Sequence, residues 1–409
     1  MKKIFSFLIL SSIIVSLLAP VSIQARSRST SPNVGDEVIP VTALVDAQMD
    51  LKSPSVVLME GSTGTIIYEK NKDERLRPAS ITKVMTMLLI FEALDAGQIR
   101  LMDEVTVSEH AASMGGSQVY LEPYEVQTVE TMIKCISIAS ANDASVAMAE
   151  FVAGSEDEFV ARMNQRAKEL GMKNTNFVNS CGLDDDNHYS SAYDIALMSK
   201  ELITKYPQVS QYATVWMDTI IHTTRKGQSE FGLTNTNKLV RFYEGATGLK
   251  TGSTSLAKYC LSATAKKNNM DLIAVIMAAP DTKTRFAEAT KLLNYGFANY
   301  SIYQDDNEAE PITPVRVLKG VNDYVEGRPA GPFSYLCSKG RTHENIRKEV
   351  VMLEEVPAPV AQNDKIGEIV YYYDKEKIGT IDILATEAID KAGFKDCFVK
   401  LLRQYFLAN

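Results

Sequence analysis

The stretch Arg77-Pro78-Ala79-Ser80-Ile81-Thr82-Lys83-Val84, running on through Met85-Thr86-Met87-Leu88-Leu89-Ile90-Phe91-Glu92-Ala93-Leu94, decides how this chain is read. From Val84 to Leu94 the sequence is apolar on nearly every side of a helical wheel, and a helix apolar all round belongs inside a core. Ser80 and Lys83 stand at its entry, one helical turn apart, so that hydroxyl and amine share a face. A serine hydroxyl is a weak nucleophile until an adjacent base takes its proton. Lysine can be that base only when neutral, a state that burial or a second cation favours.

Alone, Ser-x-x-Lys is a weak signal. Ser255-Leu256-Ala257-Lys258 also fits, but it lies at the start of an expected strand, where positions i and i+3 face opposite sides. Ser31-Pro32-Asn33 likewise matches Ser-x-Asn inside a polar leader. Two further motifs give Ser80 and Lys83 their context. Ser140-Ala141-Asn142 falls between an expected buried helix, Thr131 to Ala139, and an Ala-rich helix that Asn142 or Asp143 can cap. Lys250-Thr251-Gly252 begins a strand and leads into a hairpin of Tyr259 to Ala265 and Leu272 to Ala279, turned at Lys266-Lys267-Asn268-Asn269. The three motifs in this order are the pattern of penicillin-interacting serine enzymes.

Outward from these motifs, Ser55 to Met59 and Thr65 to Tyr68 flank Gly61-Ser62-Thr63-Gly64 as a second strand hairpin. Ser155 to Glu158 has the form of a capping box, and Phe159, Met163, Ala167 and Leu170 mark one helix face before Gly171. Asp305 to Pro314 is acidic, carries two prolines and reads as a linker. Beyond it, Val315 to Leu318, Val350 to Leu353 and Ile366 to Ile383 are strand-like runs of a small β domain over residues 311–388. In the last segment, 389–409, Phe394, Phe398, Leu401, Leu402 and Tyr405 recur at helical spacing, with Lys395, Lys400 and Arg403 elsewhere on the turns. That periodicity suits a helix lying on a membrane and equally a helix packed on its own domain.

At the other end, Lys2 and Lys3 precede a mostly apolar run from Ile4 to Leu18, with Ala25 at a small-residue cut. Residues 1–25 have the form of a signal peptide, since a spanning anchor needs about 20 apolar residues. Residues 26–44 read as a flexible leader, and the chain is expected to be exported.

Composition excludes several classes. The chain has 409 residues, 45% hydrophobic and 23% charged, with a formal charge of −8, a balance that argues against a nucleic-acid binder, which needs a basic face to neutralise phosphates. Four scattered His and five scattered Cys lack metal-ligand spacing, and no metal or cofactor is expected. Cys135, Cys181, Cys260, Cys337 and Cys397 read as free thiols. There is no Gly-x-Ser-x-Gly elbow for a Ser-His-Asp scheme, and His188 reads as structural.

On the three motifs, on Gly182-Leu183 with His188 to Asp194, and on Gly248 to Thr254, the chain resembles the low-molecular-mass penicillin-binding proteins, which are serine D-alanyl-D-alanine carboxypeptidases of bacterial cell walls. The resemblance covers about residues 45 to 409. It implies a β-lactamase/transpeptidase-like α/β domain over 45–304, an antiparallel sheet with flanking helices and a helical lobe, followed by the small all-β domain and the terminal amphipathic helix. It implies that Ser80 forms the acyl-enzyme, Lys83 is its base, Ser140 relays protons and Asn142 holds the substrate amide. Lys250, Thr251, Gly252, Ser253 and Thr254 would line the substrate edge, with Arg285 near the terminal carboxylate and the backbone N–H groups of Ser80 and Ser253 as oxyanion hole. The implied partners are peptidoglycan stems ending in D-Ala-D-Ala, β-lactams as inhibitors, and the outer face of the cytoplasmic membrane through the C-terminal helix. Ser253 occupies a position that is His in some members. A class A β-lactamase is the enzymatic alternative, but no Glu-x-x-Leu-Asn stretch lies between Asn142 and Lys250. The other alternative is a wall-binding protein with a degenerate site.

Overall fold

The computed structural model describes residues 49–307 and 312–407. The expected signal peptide and leader lie outside these residues. The first part of the described chain is built on a five-stranded antiparallel sheet in the order Ile66–Lys70, Ser55–Glu60, Met270–Ala279, Lys258–Lys267, Ala246–Thr254. The expected hairpin of Ser55 to Tyr68 forms two neighbouring strands at one edge of it. Strand Ser55–Glu60 also pairs with Met270–Ala279, from Ser55 opposite Met277 to Glu60 opposite Leu272, which closes the two ends of the domain on each other.

Alternation along the strands sorts side chains to the two faces. Val56 and Leu58 join Leu261, Ile276, Ala289, Leu292 and Leu293 in one core, under the Thr282–Asn299 helix. Val57 and Met59 join Val275 and Met277 in the other, which continues into the helical lobe. At the centre of that lobe is the Lys83–Asp95 helix, with Lys83 through Phe91 all buried, as its all-round apolar sequence predicts. Around it stand helices Val129–Ile138, Asn142–Ala153, Glu156–Glu169 and Ala192–Lys205. Ser155 Oγ accepts from Glu158 N at 3.2 Å, but the Glu158 carboxylate turns to Arg162, so only half of the expected capping box forms.

Two local expectations are corrected. Neither Asn142 nor Asp143 caps the helix they begin; the cap is Ala141, extended and without a side-chain bond. Their side chains go to partners far away in sequence: Asn142 to Lys83 and Gly115, and Asp143 to the backbone N–H groups of Val119 and Leu121. Lys250-Thr251-Gly252 does not open the following hairpin but lies within its own edge strand, Ala246–Thr254, and Ser255-Leu256-Ala257 is the turn into the next strand. Glycines at 245, 248 and 252 dilute the strand signal in the sequence.

The Tyr300–Asp305 strand runs antiparallel to Phe333–Ser338, from Tyr300 opposite Ser338 to Asp305 opposite Phe333. The remaining strands form a four-stranded sheet (Gly327–Pro329, Glu376–Ala385, Lys365–Tyr373, Ile346–Met352) and a three-stranded one (Tyr324–Val325, Val315–Leu318, Glu355–Pro357). They enclose a separate core in which Phe333 stacks on Tyr371 at 3.7 Å between ring centres.

The Phe394–Leu407 helix forms as its period predicts, yet it does not bury its apolar side against the β domain. Phe394, Leu401 and Tyr405 are 90, 67 and 77% exposed. Its polar side is the attached one, because Lys400 donates to Gly320 O and pairs with Asp323. Among the described residues no helix is long and apolar enough to cross a membrane.

Candidate active site

The chain enters the central helix through a 3₁₀ turn, Ala79–Thr82, in which Ala79 has φ +48°. A non-glycine residue in the left-handed region is uncommon, and such positions gather at functional sites. The turn leaves Ser80 partly open to solvent, while Lys83, one turn on, is fully buried. Lys83 Nζ lies 3.1 Å from Ser80 Oγ, 2.6 Å from Asn142 Oδ1 and 2.7 Å from Cys181 O. The Asn142 amide is oriented by Nδ2, which donates to Gly115 O at 2.7 Å. Burial pushes the Lys83 amine down from its ordinary value to about 8.

These contacts set where a neutral Lys83 amine aims its lone pair. Asn142 Oδ1 and Cys181 O can only accept. A neutral amine has two N–H groups, which those two oxygens take. Its lone pair is then left for the third neighbour, the Ser80 hydroxyl.

Ser140 sits in the turn between two helices with φ +62° and is buried. Neither lysine donates to its hydroxyl in this geometry. Lys250 is buried on the edge strand, its Nζ 3.0 Å from Thr251 O, and burial, then the charges of Lys83 and Arg285, hold its amine well below the ordinary lysine value. Thr251 Oγ1 donates to Thr236 Oγ1 at 2.6 Å. Gly252 is where the strand passes the nucleophile: a Cβ there would lie 2.7 Å from Pro78 O and 3.0 Å from Ser80 N. Ser253 is exposed beside it, and Thr254 Oγ1 donates to Asp184 Oδ1 and accepts from Ala257 N, both at 2.9 Å.

Arg285 is buried, not solvated at a helix start. Its Nη1 donates to Gly252 O and Cys260 O, each at 3.1 Å, so it grips the back of the edge strand, and burial lowers its pKa to about 10. The contacts join Ser80, Lys83 and Asn142 directly, and bring Gly252 of the edge strand against the Ser80 backbone, while Arg285 holds that strand through Gly252 O.

The residues that sequence reasoning missed act mainly through their backbones. Asn179 Oδ1 accepts from Gly182 N at 2.7 Å and from Leu183 N at 3.1 Å, folding a loop that presents Cys181 O to Lys83. Gly182, at φ +89°, passes so close that a Cβ would stand 1.9 Å from Ala79 O. Asn142 N donates to Ser117 O, and Thr236 N to Ile138 O. His188 is structural, as its sequence context suggests: Nδ1 accepts from Val178 N, which leaves Nε2–H for Thr82 Oγ1 at 2.7 Å, and burial lowers its pKa to about 4. The five cysteines are free thiols, four of them buried.

Comparison with known proteins agrees with this geometry. Residues 42–281 match the D-alanyl-D-alanine carboxypeptidase family, and residues 297–391 match the C-terminal domain of penicillin-binding protein 5. The chain is 48% identical over 343 residues to the D-alanyl-D-alanine carboxypeptidase DacF of Bacillus subtilis, covering 84% of this chain and 87% of that protein. With DacA of Escherichia coli it shares 29% identity over 412 residues, 99% of each chain. It is similar in structure to penicillin-binding protein 5 from Haemophilus influenzae, with a TM-score of 0.71, 31% identity, and coverage of 84% of this chain and 99% of that one. With Ser80 beside the buried Lys83 amine, Gly252 of the edge strand packed close to the Ser80 backbone, and relatives that match over most of its length, the chain belongs to the D-alanyl-D-alanine carboxypeptidase family of serine peptidases.

Proposed function

We propose that this protein releases the terminal D-alanine from peptidoglycan stem peptides ending in D-Ala-D-Ala, through an acyl-Ser80 intermediate, on the outer face of the cytoplasmic membrane. The observation that carries the reading is the pair of pure acceptors on Lys83, which aims the lone pair of the neutral amine at Ser80. With a pKa of about 8, roughly one amine in ten is neutral at pH 7. Ser80 Oγ bonds to the penultimate carbonyl carbon as its proton passes to Lys83 Nζ. The C–N bond then breaks, and the D-alanine amine leaves with that proton, relayed by Ser140. Water attacks the ester, gives a proton to Lys83, and the proton returns to Ser80 as the acyl group departs.

The backbone N–H groups of Ser80 and Ser253 receive the oxyanion, and preorganised donors of this kind commonly supply a large share of acyl-transfer catalysis. Gly252 permits the approach that puts them together. Lys250 and Thr251 take the terminal carboxylate. Arg285 holds the strand by Gly252 O and adds its charge from behind. Asn142 binds the substrate amide. β-Lactams acylate the same serine. The Phe394–Leu407 helix lays its exposed aromatic and leucine side chains on the membrane surface. The β-lactamase alternative is disfavoured by the family match over residues 42–281 and by relatives named as D-alanyl-D-alanine carboxypeptidases.

The test incubates the purified protein with diacetyl-L-Lys-D-Ala-D-Ala and with fluorescent penicillin, beside Ser80→Ala. Release of D-alanine and labelling are both expected, and Ser80→Ala should lose labelling and about 10⁵-fold or more of kcat. Labelling without D-alanine release would replace this reading with a transpeptidase or a penicillin-binding scaffold.

A further inference from the structure

Beyond the motifs, the edge strand ends at a cavity of about 470 Å³ lined by Ser253, Thr254, Ser255, Lys258, Tyr259 and Pro280. Lys258 is an unusual residue for its place. It has φ +56°, a conformation that glycine takes without steric cost and side chains rarely adopt. Its side chain is exposed and makes no hydrogen bond or ion pair among the described residues. Neither nearby carboxylate pairs with it: Asp184 accepts from Thr254 at one edge of the cavity, and Asp281 accepts from Thr284 N and Oγ1. A free ammonium therefore faces a cavity edged with hydroxyls, at a backbone position that favours a different residue.

The order of groups along the strand tells what reaches this cavity. Under the reading proposed above, on which this inference rests, the terminal carboxylate lies at Lys250 and Thr251 and the scissile carbonyl at Ser253 N. The peptide must then continue past Thr254 and Ser255. At about 3.3 Å per residue, the last strand position, Thr254, and the first turn residue, Ser255, stand beside the residue that precedes D-Ala-D-Ala. We infer that Lys258, with the Ser253 and Ser255 hydroxyls, is a specificity site for a carboxylate on the side chain of that residue, and so favours a diamino-diacid there over a side chain ending in an amine or amide.

The test uses two substrates that differ by one charge, Nα-acetyl-2-aminopimelyl-D-Ala-D-Ala and its side-chain amide, and reads the ratio of their kcat/KM values in the full chain. The wild type should prefer the acid about fivefold, the scale of one partly exposed charge pair. The preference should shrink in high salt, vanish in Lys258→Gln and invert in Lys258→Glu. The ratio does not depend on the fraction of folded enzyme, and Lys258→Gly, which suits the backbone, should lose the preference with an unreduced Tm. Equal turnover of acid and amide by the wild type, or a preference that survives in Lys258→Gln, would overturn the inference while leaving the carboxypeptidase intact. Failure to release D-alanine from either substrate would instead overturn the proposed function, and this inference with it.

Discussion

The catalytic turn and the C-terminal helix are opposites in how they spend their lysines and their apolar side chains. At Ser80 the polar groups are inside: Lys83 is fully buried, with its three donor directions already facing oxygens before any substrate arrives. At Phe394–Leu407 the apolar groups are outside, and Lys400 ties the polar side to Gly320 and Asp323. The first region is complete, because an unpaired buried amine would be costly. The second presents apolar surface that the described residues leave uncovered, which is what an interface looks like before its partner is present. The first region is preorganised and the second leaves apolar surface open.

The sharpest way to break this contrast is to remove the base and keep the helix. Lys83→Gln retains donors for Asn142 Oδ1 and Cys181 O but has no proton-accepting amine, so acylation by fluorescent penicillin should slow about 10³-fold or more with little change in Tm. A reduction below tenfold would remove Lys83 from the role of base. In the other region, Phe398→Glu with Leu401→Glu should lower partition onto anionic vesicles about 100-fold, because two large apolar side chains are lost from the interface. The same double variant should hydrolyse soluble diacetyl-L-Lys-D-Ala-D-Ala within twofold of the wild type. Unchanged vesicle binding would mean that this helix covers something else.

Two smaller effects sharpen the account of the buried side. Gly182→Ala forces a methyl group against Ala79 O at a positive φ, and should cost about 3 kcal/mol in denaturant titration as well as most of the activity. Wild-type stability in that variant would show that the loop can move away from the nucleophile. The pH profile is the gentlest probe. The Lys83 amine sits at about 8, below its ordinary 10.5, so its neutral, active form grows as pH rises through 8. Below that point log kcat/KM for acylation should climb by about one per pH unit, then level off above it. A profile that is flat from pH 6 to 9 would speak for a different base.

The sequence alone determined the chemistry and much of the local structure. Ser80 and Lys83 at helical spacing, the all-round apolar helix behind them, the two hairpins and the amphipathic period at the C-terminus are written in side chains that stand close together along the chain. Such patterns are legible because helix and strand periods repeat over a few residues. What only the tertiary structure decided are the contacts that make the lysine a base. Cys181 O, Gly115 O and the Ala79–Gly182 approach are backbone groups, supplied across long sequence separations, and a backbone oxygen leaves no trace in residue type. The same reason explains the misread cap, since Asn142 and Asp143 suit a local N-cap until distant partners compete for their side chains. It applies to Arg285 and Lys258 as well: two cations near the end of one strand, the first buried against Gly252 O and Cys260 O and the second exposed at a cavity, a difference set by backbone partners that residue type does not reveal.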